Sequence, residues 1–311
     1  MKVVVLESYS ANSLARLKAD SRLTVEGDLK SAEILLIRSQ TKVDLHFLNQ
    51  APALKLVVTA TSGFDHIDWR ACRERGITVT HTPEANAQSA AELTIALILL
   101  WERQLIAARK NVRENKWRTG LPKPLGLEGQ ALGIVGLGRI GRRVAKIAHA
   151  LGMHISAFDP YVEGEVFQQY HAERLSLIEL LKANDYVSLH VPYTKETHHL
   201  LNNPTLGEMQ GEAVLINTCR GAVVDENALL TALDDGLIQG AAMDVIEREP
   251  PPSGHRALTH PKLLLTPHIG AYTTSAWEKA SSEAVDKALA FIAGHKVADT
   301  LPLATPWFDK T

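Results

Sequence analysis

The sequence predicts an α/β protein with a doubly wound parallel sheet in its larger domain and a second, smaller α/β domain. Short apolar runs alternate with amphipathic stretches along the chain, and parallel strands need crossover connections of this kind. A glycine-rich turn also follows one apolar run directly and precedes an amphipathic stretch. The length of 311 residues exceeds what one compact core usually holds, so we expect two domains.

The first hundred residues carry short apolar runs typical of buried strands and stretches with apolar residues at helical spacing. The strands are expected at 2–6, 33–37, 55–59 and 77–80, and the helices at 12–18 and 68–75. A longer helical periodicity over 88–111 predicts one helix that connects the two domains.

The alternation restarts at residue 131 and predicts six strands with helices between them. The strands are expected at 131–136, 153–158, 185–190, 213–218, 240–245 and 263–266, and the helices at 139–151, 175–183 and 226–235. Six strands in one such series are typical of a doubly wound dinucleotide-binding sheet. A final helix over 274–293 is expected to return to the first domain. The predicted domains are therefore 1–96 with 275–311, and 97–274.

Composition excludes several classes of protein. Hydrophobic residues make up 45% of the chain, which argues against disorder, and a net charge of -2 argues against a dedicated nucleic-acid binder. Two cysteines cannot form a disulfide framework or a four-thiolate zinc site. The longest apolar run, 93–101, is far shorter than the ~20 residues of a membrane span. We expect a cytoplasmic protein without a metal, a nucleic-acid partner or a membrane partner.

Gly136, Gly138 and Gly141 form a turn of the type Gly-x-Gly-x-x-Gly between a predicted strand and a predicted helix. The first glycine permits a tight turn, the second lets the backbone approach a pyrophosphate, and the third lets the helix pack on the strand. Arg139 and Ile140 complete this loop at the helix N-terminus, whose unpaired N–H groups attract an anion. The pattern predicts a dinucleotide-binding loop.

Asp159 lies 18 residues after Gly141, at the end of the next predicted strand. An acid near this position accepts hydrogen bonds from the ribose hydroxyls of NAD and would repel the 2′-phosphate of NADP. The alternative is a turn or capping aspartate before Pro160. We expect NAD as the cofactor.

Polar residues follow the last three predicted strands of the larger domain: Arg220, then Glu247 and Glu249, then His268. Because ligands bind at the carboxyl ends of parallel strands, we expect an arginine, a carboxylate and a histidine in one crevice. Arginine binds a carboxylate or polarises a carbonyl, and histidine exchanges a proton near neutral pH. This trio suits hydride transfer between a nicotinamide and a 2-hydroxy acid. Spacing alone leaves Glu247 and Glu249 as alternatives for the carboxylate.

Over nearly its whole length the chain resembles the D-isomer-specific 2-hydroxyacid dehydrogenase family. The resemblance rests on segments 37–43, 61–68, 76–83, 136–141, 190–192, 217–226, 244–250 and 266–270. It implies a Rossmann NAD domain and a smaller, discontinuous, flavodoxin-like substrate domain built from both chain ends. It also implies a homodimer formed through the NAD domain.

The resemblance implies a role for each candidate residue. Arg220 corresponds to the substrate-binding arginine, His268 to the acid/base, and Glu249, rather than Glu247, to the catalytic glutamate. Ser62 and Gly63 correspond to the loop whose N–H groups receive the substrate carboxylate. The residues expected along the dinucleotide are His190 and Pro192 on the adenosine side, Thr218 and Cys219, and Asp244 at the nicotinamide carboxamide.

Within the family the chain is most similar to the phosphoglycerate dehydrogenases of serine biosynthesis, through segments 38–43 and 89–94. Arg38 and Lys42 are expected near a substrate phosphate, although Lys42 is equally well interpreted as a solvated surface charge. Residues 59–61, Thr-Ala-Thr, replace a stretch that carries an extra arginine in some of these enzymes. The chain length leads us to expect no regulatory domain.

Three alternatives remain open at this point. A reductase of small 2-keto acids such as glyoxylate, hydroxypyruvate or pyruvate would not need the extra arginine that residues 59–61 lack. Segments 59–63 and 219–225 resemble erythronate-4-phosphate dehydrogenase. An NAD-sensing corepressor ranks last, because we expect such a protein to carry disordered tails. All of the enzyme alternatives predict a small anionic 2-hydroxy or 2-keto acid as substrate.

Overall fold

The structure is a computed structural model that describes residues 1–25, 27–305 and 307–308. The chain divides into two compact units, which combine residues 1–88 with 271–308 in the first and residues 89–270 in the second. Each unit contains one parallel β-sheet with helices, so the predicted α/β class is confirmed.

Both unit boundaries fall earlier in the sequence than the predicted domain boundaries at 96/97 and 274/275. The first boundary moves because Ala91, Ile95 and Ile98 pack into the hydrophobic core of the second unit. Residues 306 and 309–311 of the predicted first domain lie outside the described residues.

The strands are short and all of their pairings are parallel. They are β1 (Lys2–Val5), β2 (Thr24–Val25), β3 (Ile34–Ile37), β4 (Leu56–Thr59), β5 (Thr78–His81), β6 (Ala131–Val135), β7 (His154–Phe158), β8 (Ala172–Arg174), β9 (Tyr186–Leu189), β10 (Val214–Asn217), β11 (Gly240–Met243) and β12 (Leu263–Leu265). The first unit has the strand order β2-β1-β3-β4-β5, and the second has β12-β11-β10-β9-β6-β7-β8.

The helices fill the connections between the strands. They are α1 (Ala11–Ala19), α2 (Leu45–Gln50), α3 (Trp69–Glu74), α4 (Ala87–Glu102), α5 (Leu105–Arg113), α6 (Arg139–Ala150), α7 (Gly164–Gln169), α8 (Leu177–Ala183), α9 (Asn203–Leu206), α10 (Glu226–Asp234) and α11 (Thr274–Ile292). None of the described helices combines the length and the apolar character needed to span a bilayer.

The short helices α2, α7 and α9 were not predicted, and further differences concern two strands and the long helix. The second sheet holds a seventh strand, β8, in the described residues, because its three residues carry only one buried side chain and give no readable alternation. Strand β2 was missed because it has only two residues. The helix predicted over 88–111 is broken into α4 and α5 at Gln104, whose φ of 49° is left-handed.

Both faces of each sheet are covered, as near-continuous apolar strands require. Along β3, Leu35 and Ile37 belong to one hydrophobic cluster, whereas Ile34 and Leu36 belong to another. Successive side chains of a strand point to opposite faces, so these clusters lie on the two sides of the sheet. In the same way Ile134 and Val135 of β6 enter different clusters. Because the faces are covered, ligand-binding side chains are expected beyond the carboxyl ends of the strands.

Helix α11 joins the C-terminal segment to the first unit. The Nζ atom of Lys287 lies 2.6 Å from Oδ2 of Asp299 and donates to the carbonyl oxygen of Ala298 at 3.0 Å. The Thr80 hydroxyl at the end of β5 donates to the same carbonyl at 2.7 Å. These contacts connect strand, helix and tail, and they make the first unit discontinuous in sequence.

Candidate functional site

The glycine loop after β6 has the geometry that the sequence predicts for it. Gly136 has a φ of 96°, and a Cβ atom there would lie 2.6 Å from the carbonyl oxygen of His190. A Cβ on Gly141 would lie 2.1 Å from the carbonyl oxygen of Gly136. A Cβ on Gly138 would meet no heavy atom within 4 Å. The loop is therefore closed against the protein at two glycines and open at the third, beside the N-terminus of α6, which suits a pyrophosphate.

Asp159 holds the glycine loop from the end of β7. Its Oδ2 atom accepts the backbone N–H of Leu137 at 2.9 Å, and Oδ1 accepts that of Tyr161 at 2.9 Å. The second contact is the turn role considered as the alternative for this residue. Each carboxylate oxygen keeps a second lone pair, so both oxygens can still accept a ribose hydroxyl. Of the remaining loop residues, Arg139 is exposed and Ile140 packs against the core.

His190 follows β9 and is partly buried. Its Nε2 atom lies 3.0 Å from the Ser188 hydroxyl oxygen, and its enclosed Nδ1 atom has no hydrogen-bond partner among the described residues. Desolvation by burial lowers the pKa of His190 to about 3, so the imidazole is neutral near pH 7. Pro192 is exposed, and its carbonyl oxygen accepts the Thr197 hydroxyl at 2.6 Å.

Thr218 and Cys219 directly follow β10 and are both buried. The Thr218 hydroxyl is 2.9 Å from that of Thr94 on α4. The Cys219 thiol donates to the side-chain oxygen of Asn217 at 3.1 Å, and burial raises its pKa. The Asn217 amide also donates to the carbonyl oxygen of Arg220 at 2.9 Å. Side-chain hydrogen bonds thus fix the backbone that presents Arg220.

Arg220 is partly buried, and its Nη1 atom donates to the carbonyl oxygen of Cys219 at 2.6 Å. The backbone of the next residue, Gly221, packs directly on a neighbouring segment. A Cβ atom on Gly221 would lie 1.9 Å from the carbonyl carbon of Ile246. Only glycine fits at this position, and it brings the segments after β10 and β11 into direct backbone contact.

Asp244 anchors the segment after β12. It is 1% exposed, and its Oδ1 atom accepts the Thr266 hydroxyl at 2.5 Å and the Ile269 N–H at 2.9 Å. Its Oδ2 atom accepts the Gly270 N–H at 2.8 Å, and its backbone oxygen accepts the His268 N–H at 2.9 Å. These bonds hold His268 at a left-handed φ of 52°. One acceptor position of the carboxylate remains for a ligand such as a carboxamide.

His268 and Glu249 form the closest acid–imidazole pair of the second unit's strand ends. The Nδ1 atom of His268 lies 2.6 Å from Oε2 of Glu249, and Oε1 of Glu249 accepts the Ile246 N–H at 3.2 Å. Their side chains are 46% and 36% exposed, so solvent and a substrate can reach the far ring nitrogen, Nε2. Glu247 instead contacts His199, with Oε1 3.0 Å from Nε2. The geometry therefore pairs Glu249, and not Glu247, with His268.

In the first unit, Arg38 follows β3 with its side chain half-buried. Its Nη1 atom is enclosed and has no partner among the described residues, and burial lowers the pKa of its guanidinium. Glu7, two residues after β1, accepts the backbone N–H groups of Arg38, Gln40 and Thr41 at 2.9, 3.2 and 3.0 Å. Lys42 is solvent-exposed, with its Nζ atom 3.7 Å from Asp44.

Ser62 and Gly63 lie in the loop after β4, and both are partly exposed. The Ser62 carbonyl oxygen is 2.7 Å from Nδ1 of His81, and the Gly63 carbonyl oxygen accepts the Thr61 hydroxyl at 2.7 Å. Both carbonyl groups are therefore turned into the first unit.

Sequence reasoning missed several residues that shape the site. Glu7 carried a weak signal, because it is an acid directly after a buried strand. Thr94 and Asn217 carried none, because their partners are fixed only by the folded chain. Within the described residues, no group of three or more His, Cys, Asp or Glu side chains has the arrangement of a metal site.

Comparison with known proteins adds independent findings. The sequence model described as D-isomer specific 2-hydroxyacid dehydrogenase, NAD binding domain, matches residues 95–270. The chain is 39% identical to D-3-phosphoglycerate dehydrogenase of Methanocaldococcus jannaschii over 82% of this chain and 48% of the relative. It is 37% identical to hydroxypyruvate reductase of Thermotoga maritima over 83% of this chain and 84% of the relative.

A solved structure of D-lactate dehydrogenase from Aquifex aeolicus, complexed with NAD and lactic acid, superimposes with a TM-score of 0.83. It is 32% identical in sequence, and the match covers 94% of this chain and 96% of that one. The chain spans about half the length of the curated phosphoglycerate dehydrogenases that it matches.

Proposed function

The chain belongs to the D-isomer specific 2-hydroxyacid dehydrogenase family, and on that premise we propose that it transfers a hydride between C2 of a D-2-hydroxy acid and NAD. One observation carries the proposal: the 2.6 Å contact between His268 and Glu249 lies in the same unit as the open glycine loop. A half-exposed imidazole with a carboxylate on one nitrogen is suited to proton transfer at the other.

The glycine loop fits NAD, which supplies the hydride-accepting ring when it is bound. We propose that the N–H groups at the start of α6 bind the pyrophosphate where Gly138 leaves space. Asp159 would accept the ribose hydroxyls of the adenosine with its free lone pairs. His190 and Pro192 would line the adenosine side, and Thr218, Cys219 and Asp244 would border the nicotinamide half.

We propose that His268 moves the proton of the reaction. In the oxidation direction, Nε2 of His268 accepts the proton of the C2 hydroxyl as the hydride leaves C2. Glu249 at Nδ1 stabilises the imidazolium that forms, because an opposite charge at hydrogen-bond distance favours the charged form. In the reduction direction the same nitrogen returns the proton to the developing alkoxide.

Arg220 would bind the substrate carboxylate or polarise the reacting carbonyl with its planar fork of donors. Its backbone is fixed by Asn217 and Gly221, and its Nη1 atom donates to the Cys219 carbonyl oxygen, so less side-chain freedom is lost when substrate binds. Ser62 and Gly63 stay proposed as a carboxylate-binding loop through their backbone N–H groups, and their carbonyl groups are turned into the first unit.

For the substrate we propose D-3-phosphoglycerate. The supporting observation is the enclosed Nη1 atom of Arg38, a buried cationic donor that has no hydrogen-bond partner in the described part of the chain. A buried donor without an acceptor costs free energy, and a phosphate oxygen would supply the acceptor that this nitrogen lacks. Curated relatives named D-3-phosphoglycerate dehydrogenase, at 36–39% identity, agree with this choice.

A second candidate is a reductase of glyoxylate, hydroxypyruvate or another small 2-keto acid. Residues 59–61 replace the stretch that carries an extra arginine in some phosphoglycerate dehydrogenases. Here the Thr59 hydroxyl lies 2.6 Å from that of Thr61 and 3.1 Å from Nε2 of His66. These groups are hydrogen-bonded to each other and add no fixed positive charge. The hydroxypyruvate reductase relative is also matched over most of its length. The erythronate-4-phosphate enzyme and the corepressor have no further observation in their favour.

A substrate panel tests the proposal. Initial rates with NADH and NADPH would be compared for 3-phosphohydroxypyruvate, hydroxypyruvate, glyoxylate and pyruvate. We expect the phosphorylated acid to have the highest kcat/KM, and Arg38→Gln to lower that value about tenfold or more while changing the others little. A preference for an unphosphorylated acid would favour the second candidate, and no turnover of any acid would contradict both.

We also propose that the protein forms a homodimer through its NAD-binding unit. Helix α5 has no buried residue, and it exposes Leu105, Ile106 and Val112 by more than half of their surface. Apolar residues grouped on one helix mark association surfaces. Sedimentation equilibrium should give twice the chain mass, and Ile106→Glu should weaken association. The cytoplasmic location stays a prediction.

A further inference from the structure

Glu247, the acid that does not meet His268, is bound in a network of its own. Its Oε1 atom lies 3.0 Å from Nε2 of His199 and accepts the backbone N–H of Glu226 at 3.2 Å. In return its backbone N–H donates to Oε2 of Glu226 at 3.4 Å. Two glutamates from different segments thus each accept the other's backbone N–H.

Histidines flank this glutamate pair on both sides. The Nε2 atom of His255 lies 3.0 Å from Oε1 of Glu226. The backbone N–H of His199 donates to the Ala222 carbonyl oxygen at 2.9 Å, and the ring of His198 stacks on that of His199 at 3.9 Å. The network joins the segments around residues 199, 222–226 and 247–255. An isolated surface ion pair would contribute little, but backbone groups take part here and fix the path of the chain.

This network contacts the segment of Arg220 and also the segment of Glu249. Gly221, directly after Arg220, is in backbone contact with Ile246, directly before Glu247. The Ile246 N–H donates to Oε1 of Glu249, whose other oxygen meets His268. A shift of Glu247 would therefore move Ile246 and change the distance between Glu249 and the imidazole.

We propose that Glu247 is a positioning residue. It joins the segment of Arg220 to the segment of Glu249 and so fixes the distances between the arginine, the carboxylate and the histidine. This proposal rests on the proposed function for its effect on rate, but its structural part is independent of any substrate. Glu247 touches neither substrate nor cofactor in this assignment, and it acts through Glu226 and Ile246.

The test compares Glu247→Ala, Glu247→Gln and a control, Glu208→Gln. Glutamine keeps an oxygen that can accept the Glu226 N–H, so it should restore most of the function that alanine loses. Glu208 is a glutamate of the same unit whose side chain is 37% exposed against 38% for Glu247, and it pairs only peripherally with Lys182 at 2.9 Å. It matches the lost charge and exposure without touching the network.

For Glu247→Ala we expect kcat to fall roughly 10- to 100-fold, as for a displacement of about 1 Å at a reacting group. The solvent deuterium isotope effect on kcat should increase, because proton transfer through His268 becomes slower. NADH affinity should stay within about twofold, since the glycine loop is untouched. Glu247→Gln should stay within a few-fold of wild type, and Glu208→Gln should equal it.

Hydrogen exchange of the ligand-free protein provides a readout without activity. Deuterium uptake should rise in peptides covering 220–226 and 244–249 of Glu247→Ala, and it should not change in the peptide covering β6. Wild-type kcat together with wild-type exchange in Glu247→Ala would overturn the proposal, and so would faster exchange throughout the unit. If wild type turns over no 2-keto acid, the proposed function fails, and the exchange data alone decide the role of Glu247.

Discussion

His190 and His268 each follow a strand of the same parallel sheet, but their surroundings prepare them for opposite roles. Burial lowers the pKa of His190 to about 3, and its Nε2 atom lies 3.0 Å from the Ser188 hydroxyl oxygen. The His268 side chain is 46% exposed, with a carboxylate oxygen 2.6 Å from Nδ1. A histidine at a strand end therefore identifies a proton-transfer group only when solvent access and a carboxylate accompany it.

The difference between the two histidines is tested most directly by substituting His268. We expect His268→Ala to lower kcat about 10³-fold, because general acid–base catalysis contributes on the order of 10²- to 10⁴-fold. NADH affinity, measured by fluorescence titration, should stay within about twofold because the glycine loop is unchanged. His149→Ala, at an exposed histidine of α6, is the matched control and should keep wild-type turnover. A His268→Ala enzyme with turnover within tenfold of wild type would remove the distinction between the two histidines.

The sequence was sufficient for features that depend on nearby residues. The glycine loop was predictable because three glycines, the strand before them and the helix after them are contiguous. In the structure neither Gly136 nor Gly141 leaves room for a Cβ atom. The N-terminal cap of α10 depends on an equally local contact, because the Asp225 side chain accepts the Ala228 N–H only three residues away. Local patterns of this type require no knowledge of the rest of the fold.

Features that depend on distant partners were not predictable in this way. Glu247 and Glu249 are two residues apart, and only the folded path between β11 and the segment after β12 determines which one meets His268. The network around Glu226 and the support of the Arg38 segment by Glu7 depend on contacts that span many residues of sequence. The break at Gln104 was hidden because both helices continue the same apolar periodicity.

A smaller effect is expected at Asp159, which contacts the glycine loop and not the catalytic residues. Asp159→Ala should reduce the ratio of kcat/KM for NADH over NADPH about tenfold, because the charge that repels a 2′-phosphate is lost. Asp159→Asn keeps an acceptor for the Leu137 N–H, so it should share the change in preference and bind NADH better than the alanine variant. Wild-type preference for NADPH would contradict the role assigned to Asp159.

The smallest effect concerns His190 and stability. The folded imidazole has a pKa of about 3, and an unfolded histidine has one of about 6.5. The unfolded chain therefore binds one more proton as the pH falls below about 6.5, and the free energy of unfolding decreases by at most about 1.4 kcal/mol per pH unit between pH 6 and 4. His190→Gln lacks this proton uptake, so urea unfolding at pH 7.5 and pH 5 should show a smaller acid-induced loss of stability than in wild type. All other titrating groups are common to both proteins, and equal losses would mean that the His190 ring accepts a proton in the folded state as readily as in the unfolded chain.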